Sequence, residues 1–479
     1  MKPGRPQRSI ASIWQTVGVR FLPFADAASA DLPLARLLRL ALFQISVGMA
    51  LVLLTGTLNR VMIIELGVPA SLVALMIAIP VLAAPFRVLM GHRSDTYRSV
   101  LGWRRVPFIW MGTMLQFGGL AIMPFALLLF HSQSVGPDWV GPAGAALAFL
   151  LTGTGMHMVQ TTGLALATDL AAEESRPRVV ALVYVMLLVG MVLASAAFSV
   201  LLDDFSPKRL VEVIQGAAVF TLIINVIALW KQEPRNPEQT RADRVRPKFR
   251  AVLSRYRQDP RSVRLLLAVA LGSAGFSMQD VLLEPYGAEI LGLGVAQTTA
   301  LTGLWAFGTL AGFALAAYLL KRDWDMHRVA GVGALIGIFA LSAVVVAAPV
   351  NSSGLFRIGT IMIGFGGGLF AVGTMLAAMD LAEASNNGFA IGAWSAVQAT
   401  AIGLALAFGG ILRDLVNAVA LRGGFGEALA LPSTGYNAVY HLEIGLLFIT
   451  LIVLGPLTER QRVLGKSPTR RFGLADLPG

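Results

Sequence analysis

Apolar residues in this chain come in long, nearly unbroken runs. They do not show the alternation of a half-buried strand or the one-sided stripe of a surface helix. The runs fall near Leu40–Leu58, Ala70–Met90, Val106–Phe130, Pro142–Thr168, Val179–Leu202 and Leu210–Trp230, and then near Ser262–Leu283, Ala296–Leu320, Val329–Ala348, Leu355–Met379, Gly388–Leu412 and Tyr436–Leu454. Each is about the 20 residues a helix needs to cross hydrocarbon. Hydrocarbon offers the backbone no partner, so every run is predicted to be helical. Pro80 and Pro85 fall inside the second run and predict kinks there. Strand-period alternation is absent, which argues against a barrel. The pattern therefore predicts an all-α polytopic membrane protein with twelve transmembrane helices.

The polar stretches divide these helices. Between Lys231 and Arg264 the apolar pattern breaks, with Pro234, Pro237, Pro247 and Pro260 set among many arginines. This predicts two six-helix halves, 40–230 and 262–456, joined by a basic linker, 231–261, that carries a short surface helix at Val252–Tyr256. Residues 1–39 form an N-terminal segment and 457–479 a C-terminal tail. In the N-terminal segment Ile10, Ile13, Trp14, Val17 and Phe21 recur at helical spacing, flanked by Arg8 and Arg20. That suits an amphipathic helix on the membrane surface or, equally, a loosely ordered tail.

Composition supports the membrane reading. The mean hydropathy is +0.71, and only 14% of residues are charged. A net charge of +11 in a soluble protein would point to nucleic acid. Here 32 of the 38 lysines and arginines fall in the segments that the alternation of spans puts on one side. The excess of basic residues in short loops marks that side as cytoplasmic, with both termini on it. The basic linker suits anionic lipid or acidic partners, and nucleic acid is not expected. The chain has no cysteine, which excludes disulfides, thiolate nucleophiles and iron–sulfur clusters. The first run has no small-residue cleavage site, so a signal peptide is not expected.

Few polar side chains lie within the runs, and each has a functional and a structural reading. His157 sits near the middle of the fourth run, with Gln160 and Thr161 one turn on. A neutral imidazole there suits the magnesium of a chlorophyll-type pigment, with Gln160 as a second ligand and nearby glycines making room for a flat ring. The alternative is a histidine bonded to a neighbouring helix. Gln44, Gln116 and Gln398 read as amides that join helices. Asp280 and Glu284 share a helix face and suit a proton-coupling pair. A span starting near Ser262 reaches the surface about there, so exposed carboxylates outside the membrane are the expectation. His441 and Glu443 are expected at the interface for the same reason. Asp169, Glu173, Glu174, Arg176 and Arg178 flank the cytoplasmic turn after the fourth run. With Asp95, Arg104 and Arg105 they suit a charge-pair latch between helices. No nucleophilic triad, phosphate loop or metal-spaced histidine cluster is present, so an enzyme is not expected.

Two resemblances extend this reading. The stretch Pro85–Trp110 carries Gly91 and Asp95, then Gly102, Arg104 and Arg105 before the next helix. It resembles the loop between helices 2 and 3 of major facilitator superfamily transporters, although extra residues separate Asp95 from Gly102. The resemblance implies two six-helix halves with a substrate site between them. The segment Arg20–Pro69, the stretch HRSDTYRSVLGWRRVPFIWMGTMLQFGGLAIMPFALLL, the run VQTTGLALATDLA and the later QDVLLEPYGAEILGLGVAQTTALTG resemble the PucC/LhaA family, also called the bacteriochlorophyll delivery family. That resemblance implies a multi-pass protein of the inner or intracytoplasmic membrane of purple phototrophic bacteria. It would build light-harvesting complexes, deliver bacteriochlorophyll and chaperone single-span antenna polypeptides. Implied partners are those polypeptides, the reaction-centre core complex, and pigment or pigment-synthesis proteins. The length suits the LhaA branch, which serves the core antenna, slightly better than the PucC branch, which serves the peripheral antenna. A proton-coupled transporter of a small solute, with Asp280 or Glu284 as the coupling group, is the alternative. A scaffold that binds no pigment is a third.

Overall fold

The computed structural model describes residues 32–82, 103, 105–130, 137, 139–172, 175–233, 260–380 and 387–463. Twelve helices lie among them. The first six are α1 (Leu34–Glu65), α2 (Ala70–Leu82), α3 (Val106–Leu128), α4 (Val140–Leu170), α5 (Arg176–Leu201) and α6 (Pro207–Leu229). The second six are α7 (Pro260–Glu289), α8 (Val295–Lys321), α9 (Met326–Ala347), α10 (Ser353–Asp380), α11 (Asn387–Leu421) and α12 (Ser433–Val463). Eleven of these are long and apolar enough to cross a membrane, and the described part of α2 is a shorter apolar helix. The chain is a multi-pass membrane protein. The surface helices expected near Ile10–Phe21 and at Val252–Tyr256, and the kink expected at Pro85, lie outside the described residues, as does most of the linker.

Several helices run past their apolar cores. Helix α1 begins at Leu34, not Leu40, because the arginines of its first turns find acceptors at the end of α6. Arg36 donates to the Gln232 carbonyl at 2.6 Å, and Arg39 donates to the Trp230 carbonyl at 2.9 Å. Their aliphatic stems can then lie along apolar surface while the charged heads stay at the membrane edge. Helix α12 continues to Val463, beyond the apolar run that ends near Leu454.

The packing repeats. In the first half α3 lies on α4, α2 touches α4, α1 touches α4, α5 and α6, and α3 also meets α6. In the second half α9 lies on α10, α8 touches α10, α7 touches α10, α11 and α12, and α9 also meets α12. The halves join where α5 packs on α8 and α2 packs on α11, two pairs that the same repeat exchanges.

Lipid removes the hydrophobic drive for helix association, so close approach must come from small residues. The pairs Gly308 and Gly312 on α8, and Gly364 and Gly368 on α10, interlock. A Cβ on Gly364 would fall onto the Trp305 carbonyl, and one on Gly308 onto the Ile361 carbonyl. Gly112 and Gly155 do the same for α3 and α4.

Replacing Gly364 by valine should therefore cost about 1–3 kcal/mol through overpacking. It would appear as a lower thermal midpoint in detergent. Gly216→Ala on α6, where nothing lies within 4 Å of the added carbon, should leave the midpoint unchanged or raise it slightly.

Candidate functional site

Equivalent helices of the two halves, α1 and α7, are both irregular toward the membrane face opposite the termini, here the far end. Helix α1 is wound as π-helix over Val52–Leu58 and again over Val61–Glu65. Such turns gather at functional sites. Helix α7 is regular from Pro260 to Gly275, takes one tight 3-10 turn at Met278–Val281, and resumes over Leu283–Glu289. The sequence supplies a reason for the break. Pro285 has no N–H to give to the carbonyl of Val281, four residues back, and its ring would clash with that carbonyl in a continuous helix.

Both freed backbone groups are satisfied from other helices. Asn59 Nδ2 of α1 donates to the Val281 carbonyl at 2.8 Å. The Gln279 N–H donates to the Glu443 carboxylate of α12 at 2.9 Å. Around the break, Thr302 of α8 donates to Glu284 Oε1 at 2.8 Å. Gly56 of α1 leaves room for this pair, since a Cβ there would collide with the Thr302 hydroxyl. Gln279 donates to the Phe276 carbonyl at 3.0 Å and to the neighbouring Asp280 carboxylate. The Tyr286 ring packs against Phe356, Tyr436 and Tyr440 at centroid distances of 5.7, 5.4 and 5.4 Å.

These positions correct two expectations. Glu284 is 4% exposed and Glu443 is fully buried, so neither is a surface carboxylate. The expectation assumed a straight helix leaving the membrane near Asp280. Instead α7 breaks, continues to Glu289, and is covered by α1, α8 and α12. His441 is exposed.

Nearer the far surface, Arg413 of α11 pairs with Glu289 at 2.8 Å and Asp414 at 2.9 Å and donates to the Tyr436 hydroxyl. Asp414 in turn accepts the Ser71 N–H at the start of α2, at 2.7 Å. Further bonds close this end between the halves. Thr57 meets Thr299 at 3.1 Å, and Ser195 and Ser199 donate to the carbonyls of Thr299 and Ala296.

At the termini end, Arg105 Nε lies 2.9 Å from Asp169 Oδ2, and the Glu233 carboxylate accepts the N–H groups of Arg105 and Val106, which open α3. An anion at a helix N-terminus is favourable. Arg176 is exposed at the start of α5, and Gly91, Asp95 and Arg104 lie outside the described residues.

On α4, His157 and Gln160 are half-buried. His157 shares a face with Leu150, Thr154, Thr161 and Leu164, which are also at least partly exposed. The helix's glycines do not form a cradle beside it. Gly153 is filled by Pro80, Gly155 by the backbone of α3 and Gly163 by the Phe43 ring. Gln116 does join helices, donating to the Ser46 carbonyl at 3.0 Å, whereas the Gln44 side chain is buried with no hydrogen-bond partner among the described residues. Sequence spacing could have flagged more of the α7 site. Tyr436, Tyr440 and Glu443 recur at i, i+4 and i+7 and so share one face of α12.

The family model for PUCC protein matches residues 57–462. The chain belongs to the PUCC protein family. It is 53% identical over 478 residues to an uncharacterized protein in the puhA-bchM intergenic region of Rhodobacter capsulatus, covering 98% of this chain and 99% of that one. It is 54% identical over 407 residues to Protein PucC of Rhodovulum sulfidophilum, covering 84% and 90%. It is 26% identical to the bacteriochlorophyll synthase 44.5 kDa chain of Rhodobacter capsulatus, over 91% and 98%. Among solved structures, a bacterial homologue of the human lysosomal transporter Spinster, inward-facing and unoccupied, superposes with a TM-score of 0.68 at 14% identity, covering 93% of this chain and 99% of that one. The fold is that of the major facilitator transporters.

Two predictions follow from these helix ends. Asn59→Leu should strand the Val281 carbonyl and cost about 1–3 kcal/mol, read as a lower thermal midpoint. Asp325 caps α9 by accepting the Arg328 N–H at 2.9 Å, with His327 Nδ1 3.6 Å away. Burial pushes the Asp325 carboxyl up, but its bonds to His327 and Arg328 outweigh that and hold it below its usual 3.8. A lowered carboxyl stabilises the fold above the unfolded value and loses that contribution as pH falls through the folded one. Asp325→Ala should therefore destabilise by about 1 kcal/mol at pH 7, with the gap from the parent narrowing below pH 3.8. Thermal melts at both pH values check this.

Proposed function

We propose that this chain is an assembly factor for the light-harvesting antenna of a phototrophic bacterium, and that its cargo is bacteriochlorophyll together with single-span antenna polypeptides. The observation that carries this reading is membership of the PUCC family, through a match that runs across both six-helix halves. The relative described as a bacteriochlorophyll synthase chain supports the choice of pigment. The termini end would face the cytoplasm, where the basic loops belong. The membrane would be the inner or intracytoplasmic one.

In this reading His157 offers its imidazole to the pigment magnesium, with Gln160 as the second candidate. The ring would rest against the partly exposed side chains of α4, because the helix's buried glycines near His157 are occupied by packing. The partner helices are antenna subunits, with the core type first to be tested and the peripheral type second. The protein acts by holding and releasing cargo, without catalysing a reaction.

A second reading, a proton-driven transporter of a small solute, draws on the buried carboxylates of α7 and α12 and on the transporter fold. One preparation separates the two. Purification in mild detergent from cells making antenna should give near-infrared pigment bands and small co-purifying polypeptides. His157→Leu should lose most of the pigment while keeping its elution profile. A colourless parent without partners would overturn the assembly reading. Uncoupler-sensitive solute uptake into proteoliposomes would then support the transporter.

A further inference from the structure

The break in α7 gathers more ionisable groups than its hydrogen bonds account for. Glu284 and Glu443 each place one oxygen on a donor, Thr302 or the Gln279 N–H. Their second oxygens are buried with no hydrogen-bond partner among the described residues. The hydroxyls of Tyr286 and Tyr440 are in the same condition, in side chains that are fully buried. The Tyr440 ring lies edge-on to Tyr286, 5.4 Å between centroids, one turn before Glu443 on α12.

Among the described residues, the elements around the site bring no free cation to it. From α7 come Asp280 and Tyr286, from α12 Tyr436, Tyr440 and Glu443, and from α8 Thr302. Helix α1 contributes Gly56 and Asn59, and α10 contributes Phe356. Arg413 of α11 is committed to Glu289 and Asp414, and Arg60 of α1 to Glu65. A buried carboxylate with no compensating charge costs several kcal/mol, and neighbouring carboxylates repel one another. A carboxylic acid avoids both costs. Its O–H becomes a donor, and a tyrosine oxygen can accept it.

We propose that Glu284 and Glu443 form a proton-binding site that controls closure of the far end. Each glutamate takes up one proton from water on its unpartnered oxygen, and no other covalent bond is made or broken. With both protons bound, the α7 break packs dry against α1, and the bridges Asn59–Val281 and Thr57–Thr299 hold the halves together. Loss of the protons leaves two charges that must draw in water, which parts α7 from α1 and opens this end.

The absence of native cysteine makes the test direct. Asp203 and Glu427 are exposed at the far end, one in each half. Spin labels on Asp203→Cys and Glu427→Cys report their separation by double electron–electron resonance in lipid nanodiscs. Between pH 5 and pH 9 the ratio of long to short distances should rise at least about tenfold. In the Glu284→Gln, Glu443→Gln double variant, which mimics the protonated pair, the short distance should persist throughout. A parent distribution that ignores pH, or a double variant that follows the parent, overturns the proposal. If the double variant is not monodisperse, Thr302→Val removes the donor to Glu284 and should move the pH midpoint. An unmoved midpoint overturns the proposal equally. Exchange of sodium for potassium at fixed pH should change nothing, and a sodium-dependent shift would replace the proton with a metal cation. None of these readings depends on bound antenna subunits or pigment.

Discussion

Inside hydrocarbon a helix that stops being helical must find partners for the backbone groups it frees. Pro285 imposes that requirement on α7, and the chain meets it with side chains from two other helices. Asn59 reaches the Val281 carbonyl from the first half, and Glu443 reaches the Gln279 N–H from the last helix. The join between the halves at the far end is thus built into the backbone hydrogen bonding of α7. Moving the halves apart there means leaving a carbonyl unsatisfied or replacing Asn59 with water.

The same break explains why carboxylates lie in an apolar interior. A tight turn exposes N–H groups that a carboxylate satisfies well, and Glu443 takes that position at the cost of being fully buried. Glu284 follows from geometry, because it opens the resumed helix and faces Thr302 across the narrow gap that Gly56 leaves. At the other end of the molecule charges are handled differently. Arg105, Asp169 and Glu233 sit where helices leave the membrane, Asp169 is partly exposed, and opposite charges are paired. The far end carries ion pairs too, Arg413 with Glu289 and Asp414 near its surface, but beneath them the helices are joined by hydrogen bonds and carboxyl groups in the dry interior.

The spans were legible because hydrocarbon leaves a mark on every residue of a crossing helix. The glycine pairs of α8 and α10 stand four residues apart in the sequence, the spacing that close approach in lipid demands. The site was read less well. Depth was judged by counting residues from Ser262 along a straight helix, which placed Glu284 outside the membrane. Pro285 was the signal against a straight helix, and Tyr436, Tyr440 and Glu443 were the signal that α12 turns a polar face inward. Asn59 carried no signal, because one amide in an apolar run looks alike whether it bonds its own helix or another. The glycines beside His157 misled for a related reason. Sequence shows that a glycine leaves space but not which neighbour fills it, and here Pro80, α3 and Phe43 do.

The two kinds of helix contact imply a division of labour within each half. Where α8 meets α10 and α3 meets α4, backbone lies against backbone, and a single added carbon would collide with a carbonyl. Contacts that tight have no second arrangement nearby, so these pairs move as rigid units. Where α1 meets α7, the contact is carried by side-chain hydrogen bonds, π-wound turns and a 3-10 turn, each of which has alternatives within reach. The α1–α7 seam is thus the part of the join between the halves that rests on groups with alternatives, beside the α5–α8 and α2–α11 packing. Glu284 lies at that seam beside Gly56 and Glu443 holds α7 from behind, so a change in their charge would alter the balance between a dry, closed contact and a wet, open one.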